Sequence, residues 1–214
     1  MSSREMILSE LRKQRHPGLP LPEFQKTSLR GELRRQFSEA IESVGGLCVA
    51  VRDDDALNAA LRHLAFYPEV KRVLSRVSGI QIGNIDENCV GAPHQLWDLD
   101  LAILAGVFGV AENGAVWIND NCLGQHRGTF VIAQHLVLVI PADQIVPTMH
   151  EAYERINFSA CAFGCFVSGP SKTADIEQAL VIGAHGARSC TIFLVDYPKL
   201  MGFASERIRH QGGD

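Results

Sequence analysis

Apolar residues along this chain change spacing several times, and each change marks an element. Ile7, Leu8 and Leu11 share one face of a short helix, which runs into the basic cluster Arg12-Lys13-Gln14-Arg15-His16. Pro17-Gly18-Leu19-Pro20-Leu21-Pro22 forbids regular structure and reads as an extended connector. Residues 1–28 are therefore expected to be a helical arm and connector, and residues 29–214 the folded domain. Such an arm either packs on a neighbouring subunit or frays; its basic run is short and has no aromatics for RNA.

The second helix carries Leu33, Phe37, Ala40, Ile41 and Val44 at helical spacing and stops at Gly45-Gly46. Leu47 to Val51 is continuously apolar, the pattern of a strand buried on both faces of a parallel sheet. Asp53 to Asp55 cap a third helix through Leu57, Leu61 and Leu64. Between Tyr67 and Cys89 helix spacing and β-branching conflict, and the pattern fixes neither. From Asp98 a strand begins with Leu99, Leu101 and Ile103 alternating against polar or small positions. Phe108 to Ala111 and Ala115 to Ile118 flank Asn113-Gly114, a strong hairpin signal. Leu136 to Ile140 is another buried strand. A helix with an early proline is expected over Asp143 to Ile156, and the last strand is Cys190 to Val195. Strands alternating with helices at both ends, with a hairpin between, predict a three-layer α/β domain: a mostly parallel sheet plus an antiparallel portion. Ligands in such sheets bind beyond the carboxyl ends of strands.

The richest chemistry lies in Ser168-Gly169-Pro170-Ser171-Lys172-Thr173-Ala174-Asp175-Ile176-Glu177. Cys165-Phe166-Val167 before it reads as a strand. Ile176, Ala179, Leu180 and Gly183 after it read as one face of a helix. In a strand-to-helix turn Ser171 or Thr173 caps the helix, and Asp175 and Glu177 complement its dipole. Free N–H groups, hydroxyls and the Lys172 ammonium then suit a phosphate or carboxylate. The plainer reading is that the hydroxyls only cap and Lys172 faces water. The segment lacks the glycine spacing of a nucleotide-triphosphate loop.

Glu112, just before the hairpin turn, is either a surface carboxylate bonded across that turn or a reactive group. His135 opens a buried strand, a position more often structural than catalytic. Asp120, Cys122 and His126 share a polar loop, but one C-x3-H pair is a thin basis for a metal, and none is assigned.

A net charge of −4 argues against a general nucleic-acid binder. The 46% apolar content is that of an ordinary globular domain, with no run of membrane-spanning length and no signal-peptide segment. Six scattered cysteines fit reduced thiols in the cytoplasm.

At three places the chain resembles the LUD-domain family, in particular its lactate-utilization protein C branch. They are Gly106 to Gly114, then His135 to Val139 with Ile145-Val146-Pro147-Thr148, and Ser168 to Glu177 with Gly183-Ala184-His185-Gly186. The resemblance implies a fold like that of ribose-phosphate isomerases, CoA transferases and formyltetrahydrofolate cyclo-ligases. It implies a subunit of a bacterial system oxidising L-lactate to pyruvate, with iron–sulfur clusters on partner proteins; this chain lacks the cysteine motifs for one. Its own cofactor is left unknown. The ligand-binding set it points to is Ser168, Gly169, Ser171, Lys172, Thr173, Asp175, Glu177 and His135, for a small anion, with Glu112 as the catalytic candidate. The family's Glu-Thr-Gly or Glu-Ser-Gly is here Glu112-Asn113-Gly114, which removes a hydroxyl and is closer to the glutamate segment of some CoA transferases. A non-catalytic scaffold for partner proteins is the remaining alternative.

Overall fold

The apolar runs too hydrophobic to face water pair with one another at the centre of the molecule. In the computed structural model, which describes residues 2–13, 32–174 and 180–196, the chain begins with α1 (Ser3–Lys13), α2 (Leu33–Ser43), β1 (Leu47–Val51), α3 (Asp54–Arg62), β2 (Val73–Ser75) and β3 (Leu101–Ala105). The hairpin β4 (Phe108–Val110) and β5 (Ala115–Asn119) follows. After it come α4 (Asp120–Leu123), α5 (Thr129–Ile132), β6 (His135–Pro141), β7 (Ile145–Val146) and α6 (Met149–Arg155). The chain closes with β8 (Gly164–Val167), β9 (Lys172–Ala174), β10 (Leu180–Ile182) and β11 (Ser189–Val195).

Five strands form a parallel sheet in the order β1-β11-β6-β3-β2. A second sheet, β7-β4-β5-β8, is mostly antiparallel. Because the central strands are buried on both faces, their side chains divide between two cores. Leu101, Ile103, Val137, Val139, Phe193 and Val195 pack with Leu57 and Leu61 of α3. Ala102, Leu104, Leu136, Leu138, Ile140 and Ile192 pack with Phe37 and Ile41 of α2 and with Val116 and Ile118 of the second sheet. The outer face of that second sheet buries Phe108, Val110 and Trp117 against Ala152 of α6. This is the three-layer α/β architecture that the alternation of elements implied.

Three details differ from the sequence reading. Pro147 does not sit inside a helix over 143–156: Ile145–Val146 pair as a short strand, and α6 starts after Thr148, whose hydroxyl accepts Glu151 N–H at 3.3 Å. The ambiguous span after Tyr67 resolves into a 3-10 turn and β2, and Asp100 accepts the N–H groups of Lys71 and Arg72, both at 2.8 Å. Third, no helix begins at Ser171. Lys172–Ala174 and Leu180–Ile182 pair antiparallel. Pairing of Thr173 with Val181 wins over the helical spacing, as suits β-branched residues, and Gly183 (φ +72) turns the chain after a strand rather than a helix. Ile176 and Ala179 lie outside the described residues, as do the proline-rich connector and the boundary placed at residue 28. α1 is helical as expected, with no buried residue.

The hairpin tip rests on α2. Gly114 has φ +67, and a methyl group there would meet Ile41 N at 2.8 Å. Neither the left-handed backbone nor the contact admits a side chain. Gly114→Ala is expected to lower unfolding stability by about 2 kcal/mol or more, read from the denaturant midpoint; an unchanged midpoint would show that the hairpin tip bears no load.

Candidate functional site

The Ser168–Thr173 segment leaves β8 and is drawn onto the carboxyl end of α2. Gly169 adopts φ +74, and a side chain there would meet Val44 Cγ2 at 2.8 Å and Val44 O at 3.0 Å. Pro170 is buried. The Gly169 N–H donates to the Cys190 thiol, which burial pushes up to about 12 despite that bond. Gly46 is equally confined: a side chain would meet Ile41 Cγ2 at 2.9 Å and Cys190 O at 3.2 Å. The segment therefore lies over the amino ends of β1 and β11. Although Ser168 follows the carboxyl end of β8 as expected, that end faces the amino edge of the large sheet, opposite to the crevice where such sheets usually bind ligands.

Ser168 Oγ donates to Asn113 O at 2.8 Å, so the turn and the Glu112-Asn113-Gly114 hairpin tip are brought together. The other donors are used within the fold. Ser171 Oγ donates to His185 O at 3.1 Å, Thr173 Oγ1 donates to Val181 O at 3.3 Å, and Ser171 N–H donates to Ala187 O at 2.9 Å. With no helix start here, the fan of free N–H groups expected at this point is absent among the described residues. Lys172 is exposed, and its ammonium lies 3.9 Å from where a Gly45 side chain would begin, beside the negative end of α2. Asp175 and Glu177 lie outside the described residues.

Glu112 is exposed and its carboxylate accepts the Met149 N–H at 2.8 Å, tying the hairpin to the start of α6. His135 stands apart from the turn. It lies on the α3 face of the sheet, stacked on Phe66 at 4.0 Å between centroids, with Nδ1 2.8 Å from Ser189 Oγ. The turn packs on the opposite face, where Cys190 belongs to the other core. Burial and then Arg188 lower the His135 pKa from 6.5, against the opposing pull of Asp100 and Glu69.

In the polar loop, Asp120 accepts the N–H groups of Ala162 and Phe163 at 2.9 Å and pairs with Arg127 at 2.8 Å. Cys122 Sγ lies 3.4 Å from Asn119 Oδ1, and His126 Nε2 lies 3.0 Å from Val90 O. These three side chains point to separate structural partners. What the sequence reading missed is the receiving surface, Val44 to Gly46 with Cys190. The Gly45-Gly46 pair was legible as a helix end, and its second use, admitting a distant backbone, had no local signal.

Fold and site define an α/β protein with a parallel sheet and a hairpin sheet, whose chemistry-bearing loops gather at the amino edge. A family model described as the LUD domain matches residues 83–195, more than half of the chain, and the chain belongs to the LUD-domain family. It is similar to proteins named Lactate utilization protein C. The likeness is 33% identity over 104 residues in Oceanobacillus iheyensis, covering 45% of this chain and 44% of that protein. The Geobacillus thermodenitrificans protein of that name is 28% identical over 204 residues, 90% of this chain and 80% of its own. The matched region thus spans less than half the length of the first of these relatives. A crystal structure of a DUF162-family protein from Deinococcus radiodurans superposes with a TM-score of 0.57 at 19% identity, covering 82% of this chain and 99% of that one, which establishes likeness of fold. Among the described residues no helix is long and apolar enough to cross a membrane.

Because the folded state favours neutral His135, its contribution is fully present above the unfolded value of 6.5 and is lost as pH falls through that value towards the folded one. Stability is expected to fall more between about pH 7.5 and about pH 5.5 in the native protein than in His135→Phe, which keeps the stack but cannot titrate. Equal losses in denaturant unfolding at the two pH values would contradict this.

Proposed function

We propose that this protein is a cytoplasmic subunit of a bacterial system that oxidises L-lactate to pyruvate, with electron transfer carried by iron–sulfur partner proteins. The names of its relatives support lactate utilization. The observation that carries a role for this site is convergence: the hairpin tip and the Ser168–Thr173 turn, 55 residues apart, meet through the Ser168–Asn113 hydrogen bond. Two of the segments that bear the family likeness thereby make one surface on the end of α2. A small carboxylate or phosphate is held there chiefly by the Lys172 ammonium, because the hydroxyls already have acceptors. A charge-assisted contact of this kind is worth about 1.5–3 kcal/mol.

The occupied hydroxyls also favour a second reading, in which the same surface docks the iron–sulfur partners and binds no small molecule. Acyl transfer through Glu112 has less support, since its carboxylate is engaged by the Met149 N–H.

Deleting the gene is expected to abolish growth on L-lactate and spare growth on glucose. Complementation with Lys172→Ala is expected to restore growth poorly, with anion affinity down roughly 10-fold or more. Full rescue by Lys172→Ala, with partners still co-purifying, would discard the anion and leave the docking surface. Normal growth of the deletion strain on L-lactate would discard both.

A further inference from the structure

Asn113-Gly114 is the one Asn-Gly pair in the chain, and it carries a chemistry that the function proposed above leaves unused. An asparagine side-chain amide is open to attack by the backbone nitrogen of the next residue. A following glycine, having no Cβ, shields that nitrogen least and lets the peptide swing most freely. Asn113 is exposed, and its Oδ1 accepts the Ala115 N–H at 3.1 Å, which folds the amide back along the peptide that would attack it.

Closing a five-membered ring here requires Gly114 N to turn under Asn113 Cγ, which rotates the Asn113–Gly114 peptide. Both polar groups of that peptide are held elsewhere. The Gly114 N–H donates to Val110 O at 2.9 Å, and Asn113 O accepts the Ser168 hydroxyl at 2.8 Å. Gly114 itself is buried against α2 at φ +67, where a methyl group would meet Ile41 N at 2.8 Å. On the β4 side the N–H groups of Ala111 and Glu112 donate to Val146 O and Pro147 O at 2.9 and 3.0 Å, so the rotation finds no slack there.

We propose that Asn113 is a modification site gated by the fold: it deamidates only when the hairpin tip lifts off α2 and Ser168. The bond from Gly114 N to Asn113 Cγ then forms, and the side-chain nitrogen leaves as ammonia, taking the proton from Gly114 N. Water opens the resulting succinimide and returns a proton to that nitrogen. Opening at Cγ gives aspartate, and opening at the backbone carbonyl gives isoaspartate; nothing but water is consumed. Isoaspartate lengthens the main chain by one methylene before Gly114, and the former Asn113 carbonyl becomes a carboxylate. A tip with no room for one methyl at Gly114 has none for that methylene, so it does not return to α2. The joint surface with Ser168–Thr173 goes with it. That loss matters to the protein through the function proposed above, whereas the modification itself does not depend on it.

Ageing the full chain in mildly alkaline buffer, with peptide mapping by mass and isoaspartate detection, tests this without any ligand. Conversion at Asn113 is expected to be roughly 10-fold or more slower in the folded protein than in the guanidinium-unfolded chain, because the rate follows the fraction of molecules with the tip open. Ser168→Ala removes one of the tip's hydrogen bonds and is expected to raise the folded-state rate roughly 5-fold, with circular dichroism unchanged. Ser168→Thr keeps the hydroxyl and is expected to return the rate towards the native one. Equal rates in the folded and unfolded chains would overturn the proposal, as would a Ser168→Ala rate that matches the native one. So would an unfolded chain in which Asn113 stays intact. If Ser168→Ala does not fold, the comparison of folded with unfolded native chain decides alone.

Discussion

Three glycines let backbone meet backbone at the carboxyl end of α2, and the candidate surface exists only because they do. Gly114 brings the hairpin tip onto Ile41, Gly169 brings the later turn onto Val44, and Gly46 lets β1 leave between Ile41 and Cys190. A single methyl at any of these positions meets backbone or branched side chain at 3.0 Å or less, where close packing leaves no room to yield. Helix end, hairpin and turn are therefore one packed unit. Ser168 closes it with a hydrogen bond to Asn113 O.

This unit also explains where the chemistry lies. The crossing of the second sheet over one face of the first carries the loops at the end of β8 to the amino edge of the parallel strands. Lys172 stands there beside the negative end of α2, which helps hold an ammonium in place. His135 shares that edge but not that face. Its stack on Phe66 and its bond to Ser189 join α3's end to β6 and β11, a structural task for which a neutral ring is suited.

The sheet was legible because its strands are continuous apolar runs, and the hairpin because Asn113-Gly114 admits few alternatives. Its turn is nonetheless longer than the two-residue form: Val110 pairs with Ala115, and only Gly114 takes a positive φ. The span after Ser171 was misread because Leu180 and Gly183 fit helical spacing equally well. The antiparallel pairing of Thr173 with Val181 is a partnership that local periodicity does not encode. The occupancy of the hydroxyls was hidden for the same reason: their acceptors at Asn113 and His185 are distant in sequence.

The most direct measurement is a double-mutant cycle on Gly114→Ala and Gly169→Ala, read as unfolding free energy. If hairpin tip and turn share the end of α2 as one packed unit, displacing it once makes the second substitution cheaper. The combined loss is then expected to fall short of the sum by about 0.5–3 kcal/mol. Strict additivity would mean that the two segments rest on α2 independently and that no joint surface is built there.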